Sequence, residues 1–131
     1  MHRVLVLDPK RLEAIFNLGL FLTESGQLDE AIRQFEHALR LRPNMVAALF
    51  QLGNVFVKLG RLDEAVVCFR RALECEPSHT RAYVAIGTTL LRKGDRAEAQ
   101  RYWSHGMKVA QNPQLISAAM RKASSSQTHI K

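Results

Sequence analysis

The chain repeats itself at an interval of 34 residues. "SGQLDEAIRQFEHALRLRPN", Ser25–Asn44, returns as "LGRLDEAVVCFRRALECEPS", Leu59–Ser78. Aligning rows on Gly19, Gly53 and Gly87 starts them at Leu12, Val46 and Thr80. The columns then agree: Ile15, Leu49, Tyr83; Leu18, Leu52, Ile86; Leu22, Phe56, Leu90; Ala31, Ala65, Ala99; Phe35, Phe69, Trp103. The column of Ala38 and Ala72 is interrupted by Gly106. Pro43 and Pro77 close two rows, and the third row's proline is displaced to Pro113. A fixed period of this size dictates a repeat architecture, in which stacking buries what no single row could bury alone.

Each row splits into two helical patterns. Ile15, Leu18, Gly19 and Leu22 follow the i, i+3, i+4, i+7 spacing of one helix face, and Ala31, Phe35, Ala38 and Leu39 form a second stripe. Gly26, Gly60 and Gly94 lie between the two, where a left-handed residue would close the first helix. Asp29-Glu30 and Asp63-Glu64 place negative charge in the first turn of the second helix, which suits its dipole. Pro43 and Pro77 end that helix, with Asn44 and Ser78 as expected caps of the next. The small columns at 19/53/87 and 31/65/99 predict close approach of two backbones.

These columns resemble the tetratricopeptide repeat family, in two full rows and most of a third, over roughly residues 8–113. The resemblance implies an all-α, right-handed superhelical solenoid of antiparallel helix pairs with a concave inner face. The ends extend the pattern. "VLVLDP" (Val4–Pro9) aligns with "ALRLRP" and "ALECEP", as though the chain begins inside the second helix of an earlier repeat. That predicts a piece of a longer repeat protein, or a half-repeat through which another copy supplies the missing packing. The expected organisation is one solenoid over 1–123. It comprises the tail of a preceding repeat (1–11), repeats at 12–45, 46–79 and 80–113, and a capping helix at 114–123. In the cap, Leu115, Ile116, Ala119 and Met120 would cover the last repeat while Arg121 and Lys122 face water. Residues 124–131 have no apolar periodicity and are expected to be mobile.

Composition narrows the function. Apolar runs are too short to span a membrane, and the N-terminus lacks a secretory pattern. Net charge is +7, and it is uneven: residues 1–91 hold 11 Lys/Arg against 10 Asp/Glu, while residues 92–131 hold 8 against 2. The basic third is read as a solvated face, with acidic partners or nucleic acid as the rival uses. Cys68 and Cys75, seven apart, would sit about 10 Å apart along one helix, too far to bridge. Reduced thiols point to a cytoplasmic compartment. Cys75, in the column of Leu7, Leu41 and Val109, is expected to be a buried apolar filler, and Cys68 partly exposed.

No catalytic, metal or cofactor constellation is legible. The histidines are His2, His37, His79, His105 and His129; His37 and His105 share a column two repeats apart, roughly 20 Å at ordinary helix spacing. No base partners either thiol, and there is no phosphate loop or dinucleotide fingerprint. The chain reads as a non-enzyme without cofactors.

In the resembled family the first helix of each repeat lines the concave surface, and the ligands are peptide segments. The inward positions here are Phe16, Asn17 and Leu20 in the first row, with Glu13, Thr23 and Glu24 beside them. The second row gives Phe50, Gln51, Asn54, Val57 and Lys58, and the third Arg81, Val84, Thr88, Leu91 and Arg92. The carboxylate clamp of chaperone-adaptor members is effectively absent: Phe16, Leu20, Val84 and Thr88 stand where it needs cations or amides, and only Asn54 fits. The asparagine ladder of O-linked N-acetylglucosamine transferase-like repeats is matched by Asn17 and Gln51 and broken by Ala85. The two amides could equally be polar groups facing water. Phe16, Leu20, Phe50, Val57, Val84 and Leu91 are expected as an exposed apolar strip for an amphipathic helix or extended peptide, unless neighbouring helices bury part of it. Lys58, Arg81 and Arg92 would favour acidic residues in that ligand. The expected role is a protein-interaction scaffold. The alternatives are a substrate-recognition module of a larger enzyme such as a glycosyltransferase and, ranked lower, nucleic-acid binding through the basic third.

Overall fold

The computed structural model describes the backbone of residues 8–128 and the side chains of residues 8–124. The described residues form seven helices: α1 (Pro9–Glu24), α2 (Leu28–Leu41), α3 (Val46–Lys58), α4 (Leu62–Cys75), α5 (Thr80–Lys93), α6 (Arg96–Val109) and α7 (Pro113–Thr128). The fold is an all-α repeat solenoid. Of the preceding repeat's tail expected over residues 1–11, residues 1–7, His2 among them, lie outside the described residues, as does His129, while residues 9–11 belong to α1.

Each first helix ends the same way. Gly26, Gly60 and Gly94 adopt φ of 81°, 76° and 90°. The amide after each glycine donates back across the turn: Gln27 to the Leu22 carbonyl at 2.9 Å, Arg61 to Phe56 at 2.8 Å, Asp95 to Leu90 at 2.8 Å. This is the left-handed closure that glycine permits without a Cβ clash. Helix starts differ from expectation. The caps are Met45 and His79, not Asn44 and Ser78; His79 Nδ1 accepts from the Ala82 amide at 3.0 Å, while Met45 offers no side-chain acceptor. Asp8 accepts from the Lys10 amide at 3.0 Å, and Pro9 occupies the first turn, so α1 begins three residues before the row start at Leu12.

Repeat packing centres on one contact used three times. Gly19, Gly53 and Gly87 face Phe35, Phe69 and Trp103, and a Cβ added at those glycines would lie 2.6, 2.5 and 2.0 Å from the ring. The glycine column makes room for an aromatic ring rather than for a second backbone. Phe35, Phe69 and Trp103 are essentially inaccessible. Gly106, which interrupts the alanine column, has a local cause: a Cβ there would lie 2.7 Å from both the Tyr83 ring and Ile116. Tyr83 is larger than Ile15 or Leu49 in its column, and glycine absorbs the difference.

The helices form two layers. Successive first helices touch one another (α1 with α3, α3 with α5, α5 with α7), whereas no such backbone approach joins α2 to α4 or α4 to α6 among the described residues. The stack therefore closes up on the first-helix side, which is the inside of its curve. The third repeat is fastened to α7 through its connecting turn: Gln111 donates to the Ser78 carbonyl at 3.1 Å and the Asn112 amide to the Thr80 hydroxyl at 2.9 Å. Ile116 is fully buried and Arg121 and Lys122 are exposed, but Leu115 also faces solvent, and the helix continues to Thr128 rather than ending at 123.

Two further positions depart from their columns. Leu52 and Ile86 are 4% and 0% exposed, but Leu18 is 44% exposed and its neighbour Phe21 61%. The later two are covered by the preceding repeat's second helix, and no described helix precedes α1. The thiols exchange roles: Cys68 is buried and Cys75 exposed. Cys68 completes the Ala65–Cys68–Ala72 stripe, whereas Cys75 is the last residue of α4, where the chain turns away.

Candidate functional site

The inner face is built from positions that α1, α3 and α5 turn away from their packing stripe. Asn17, Lys58, Arg81, Thr88 and Arg92 are exposed; Phe16, Leu20, Gln51, Asn54, Val57, Val84 and Leu91 are half-buried. Phe50 departs from expectation. It is 6% exposed and belongs to the core. Its ring packs on Phe69 at 5.8 Å between centroids and on His79 at 5.2 Å, and the Arg81 guanidinium lies 4.9 Å above its face. A cation over an aromatic face is attractive, so the following repeat roofs Phe50. In the repeat before, Phe16 packs on Phe35 at 5.7 Å, but Ala47 stands where Arg81 stands for Phe50. A recess of about 390 Å³ opens there, lined by Pro9, Leu12, Glu13, Phe16, Arg42 and Met45. The apolar strip is thus a row of ring edges and aliphatic side chains set into the floor, not a continuous exposed ridge.

The third repeat holds a larger space. Val84 takes the place of Phe16 and Phe50, and the small side chains Ala119 and Ala123 face it from α7. Between them lies a cavity of about 570 Å³, lined also by Thr88, Leu91, Gly94 and Trp103, with Arg92, Arg96 and Lys122 at its sides. The indole of Trp103 donates to the Tyr83 carbonyl at 3.1 Å, which fixes the ring beneath the opening. No signal short of knowing which helix follows the third repeat marks Ala119, Lys122 and Ala123 as lining residues. The Asn17–Gln51 pair keeps its row position on touching helices, and half-buried Ala85 ends the series.

Elsewhere the chemistry is sparse. Burial pushes the Cys68 thiol up to about 11, away from the reactive thiolate. Among the described residues no three His, Cys, Asp or Glu side chains converge as a metal site would require. No helix among the described residues is long and apolar enough to cross a membrane.

Residues 10–76, just over half of the chain, match the tetratricopeptide repeat family. The chain belongs to that family. Solved structures of tetratricopeptide repeat proteins agree with it in fold. A crystal structure of MamA superposes with a TM-score of 0.72 at 28% identity, over 74% of this chain and 57% of that one. A second crystal structure of MamA gives 0.73 at 27% identity, over 77% and 55%. YrrB, described as a tetratricopeptide repeat protein with an unusual peptide-binding site, gives 0.67 at 22% identity, over 78% of this chain and 53% of YrrB. The chain therefore spans a little over half the length of these relatives. No curated protein matches this tetratricopeptide repeat chain in sequence.

Proposed function

We propose that the chain is a non-catalytic interaction module that takes a peptide or amphipathic helix along the inner face of its first helices. The observation that carries this reading is the arrangement of that face. The first helices lie side by side on the inside of the curve, yet they present amides, cations and aliphatic side chains rather than a packed seam. Asn17, Gln51 and Asn54 can both donate and accept, as a peptide backbone requires. Leu20, Val57 and Leu91 supply the apolar contact that an amphipathic ligand would bury. Lys58, Arg81 and Arg92 favour acidic ligand residues. The description of YrrB as a peptide-binding protein is in keeping with this reading. The free thiols fit a reducing compartment such as the cytoplasm.

The successive amides Asn17 and Gln51 favour one second reading, a substrate-recognition module of a larger enzyme. A catalytic domain in the same polypeptide would decide for it. Nucleic-acid binding finds little support from aromatic stacking, because Trp103 is buried and Tyr102 is half-buried with its hydroxyl accepting from Arg70 at 2.9 Å.

The test is affinity capture from source-cell lysate, with and without nuclease, comparing the parent with the triple variant Asn17→Ala, Gln51→Ala, Asn54→Ala. Proteins held by the parent and lost by the variant support the inner face as the binding surface. Equal capture by both sinks it, and capture abolished by nuclease but indifferent to the variant transfers the function to the basic third.

A further inference from the structure

We infer that the cavity between α5 and α7 is an anchor subsite for one bulky apolar side chain of a peptide ligand whose neighbouring residues are acidic. The inference rests on the inner-face reading above and adds to it the position and chemistry of the dominant contact. At about 570 Å³ the space lies within the roughly 300–1,000 Å³ of ligand sites and exceeds the recess beside Phe16. It exists for stated reasons. Valine replaces phenylalanine at position 84, and α7 brings only the methyl groups of Ala119 and Ala123 to the wall opposite. Trp103, held by its bond to Tyr83, is buried directly behind the lining and keeps that wall rigid. A ring or branched aliphatic side chain entering there would meet Val84, Leu91, Ala119 and Ala123 together, with Trp103 behind them, the desolvated surround in which interface energy concentrates.

Charge selects what accompanies the anchor. Arg92 on α5 and Lys122 on α7 face each other across the cavity, both are exposed, and no carboxylate lines it. Neither makes an ion pair with a carboxylate among the described residues, in contrast to Lys93 beside them, which is paired with Asp63. A peptide carrying Asp or Glu within a residue or two of the anchor would place carboxylates between these cations, whereas a basic peptide would be repelled.

A randomised peptide library displayed on phage and selected on the intact chain tests this directly. The expected consensus is Phe, Leu, Ile or Met flanked by Asp or Glu. Trp103 is the chain's single tryptophan, so its emission should shift when a selected tryptophan-free peptide is titrated in. Ala123→Leu should intrude on the space and weaken those peptides by about tenfold or more, as loss of a buried anchor does. Lys122→Glu, at an exposed position where folding is not at stake, should weaken them and reduce their sensitivity to salt. Peptides that bind Ala123→Leu and Lys122→Glu as they bind the parent, but fail on the Asn17/Gln51/Asn54 triple variant, would overturn the anchor and leave the inner face intact. A consensus rich in Lys or Arg would also overturn it. A library that enriches nothing would remove both readings.

Discussion

Trp103 and Gly87 occupy one another's space: the indole Nε1 lies where the glycine's Cβ would be, 2.0 Å away, and donates from there to the Tyr83 carbonyl at 3.1 Å. The same relationship, with phenylalanine and without the hydrogen bond, joins Gly19 to Phe35 and Gly53 to Phe69. Ring and glycine therefore form a unit that cannot be changed on one side alone.

Gly87→Ala should lower stability by about 3 kcal/mol, the upper part of the range for overpacking. Gly26→Ala meets open space but holds φ at 81°, and should cost about 1–2 kcal/mol through backbone conformation alone. Urea denaturation of the two variants compares them; equal losses would mean that the indole is not seated against residue 87.

Phe69→Ala should destabilise by roughly 3–5 kcal/mol, as removal of a fully buried ring does. Phe50→Glu should be at least as damaging, because the carboxylate would be placed among Phe69, His79 and the core. A Phe50→Glu protein that melts like the parent would return Phe50 to the exposed surface.

His79→Ala removes the acceptor of the Ala82 amide at the start of α5 and should cost about 1 kcal/mol. His79→Asn keeps an acceptor of similar reach and should recover most of the loss. If both variants lose the same amount, packing on Phe50 rather than capping is the histidine's contribution.

Cys75 should react rapidly with an aromatic disulfide reagent at neutral pH, and Cys68 only on unfolding. The raised Cys68 value also has a pH consequence. Its neutral form is favoured in the folded state, so the stability it contributes is present below about pH 9 and is lost as pH rises towards 11. Cys68→Ala should show a shallower alkaline decline than the parent. Two fast-reacting thiols in the native protein would contradict the burial.

The glycine turns and the ring columns are readable from the 34-residue alignment, because each depends on contacts inside one row. What the alignment misses depends on neighbours. Phe50 is covered by Arg81 of the following row and by His79 at the row junction, while Phe16 has Ala47 and Met45 at the matching positions, so one column holds a roofed ring and a half-open one. Leu18 shares its column with buried residues but lacks their cover. Cys75 misleads for another reason: an apolar column at a helix end is weak support for burial, since much of any protein surface is apolar. Gly106 is intelligible only beside Tyr83. The cavity escapes the sequence because it arises from three absences of bulk, at Val84, Ala119 and Ala123, on helices whose pairing the alignment does not specify.

The described helices hold only their nearest neighbours in the stack, with nothing tying α1 to α5 or α7. Such a chain has the mechanics of a coil spring. A degree or two of rotation at each successive interface sums into a large change of span between its ends, while every ring stays seated against its glycine. Were the inner face to take a ligand as proposed, a thin strand or a helix could be accommodated by small deformations shared along the stack.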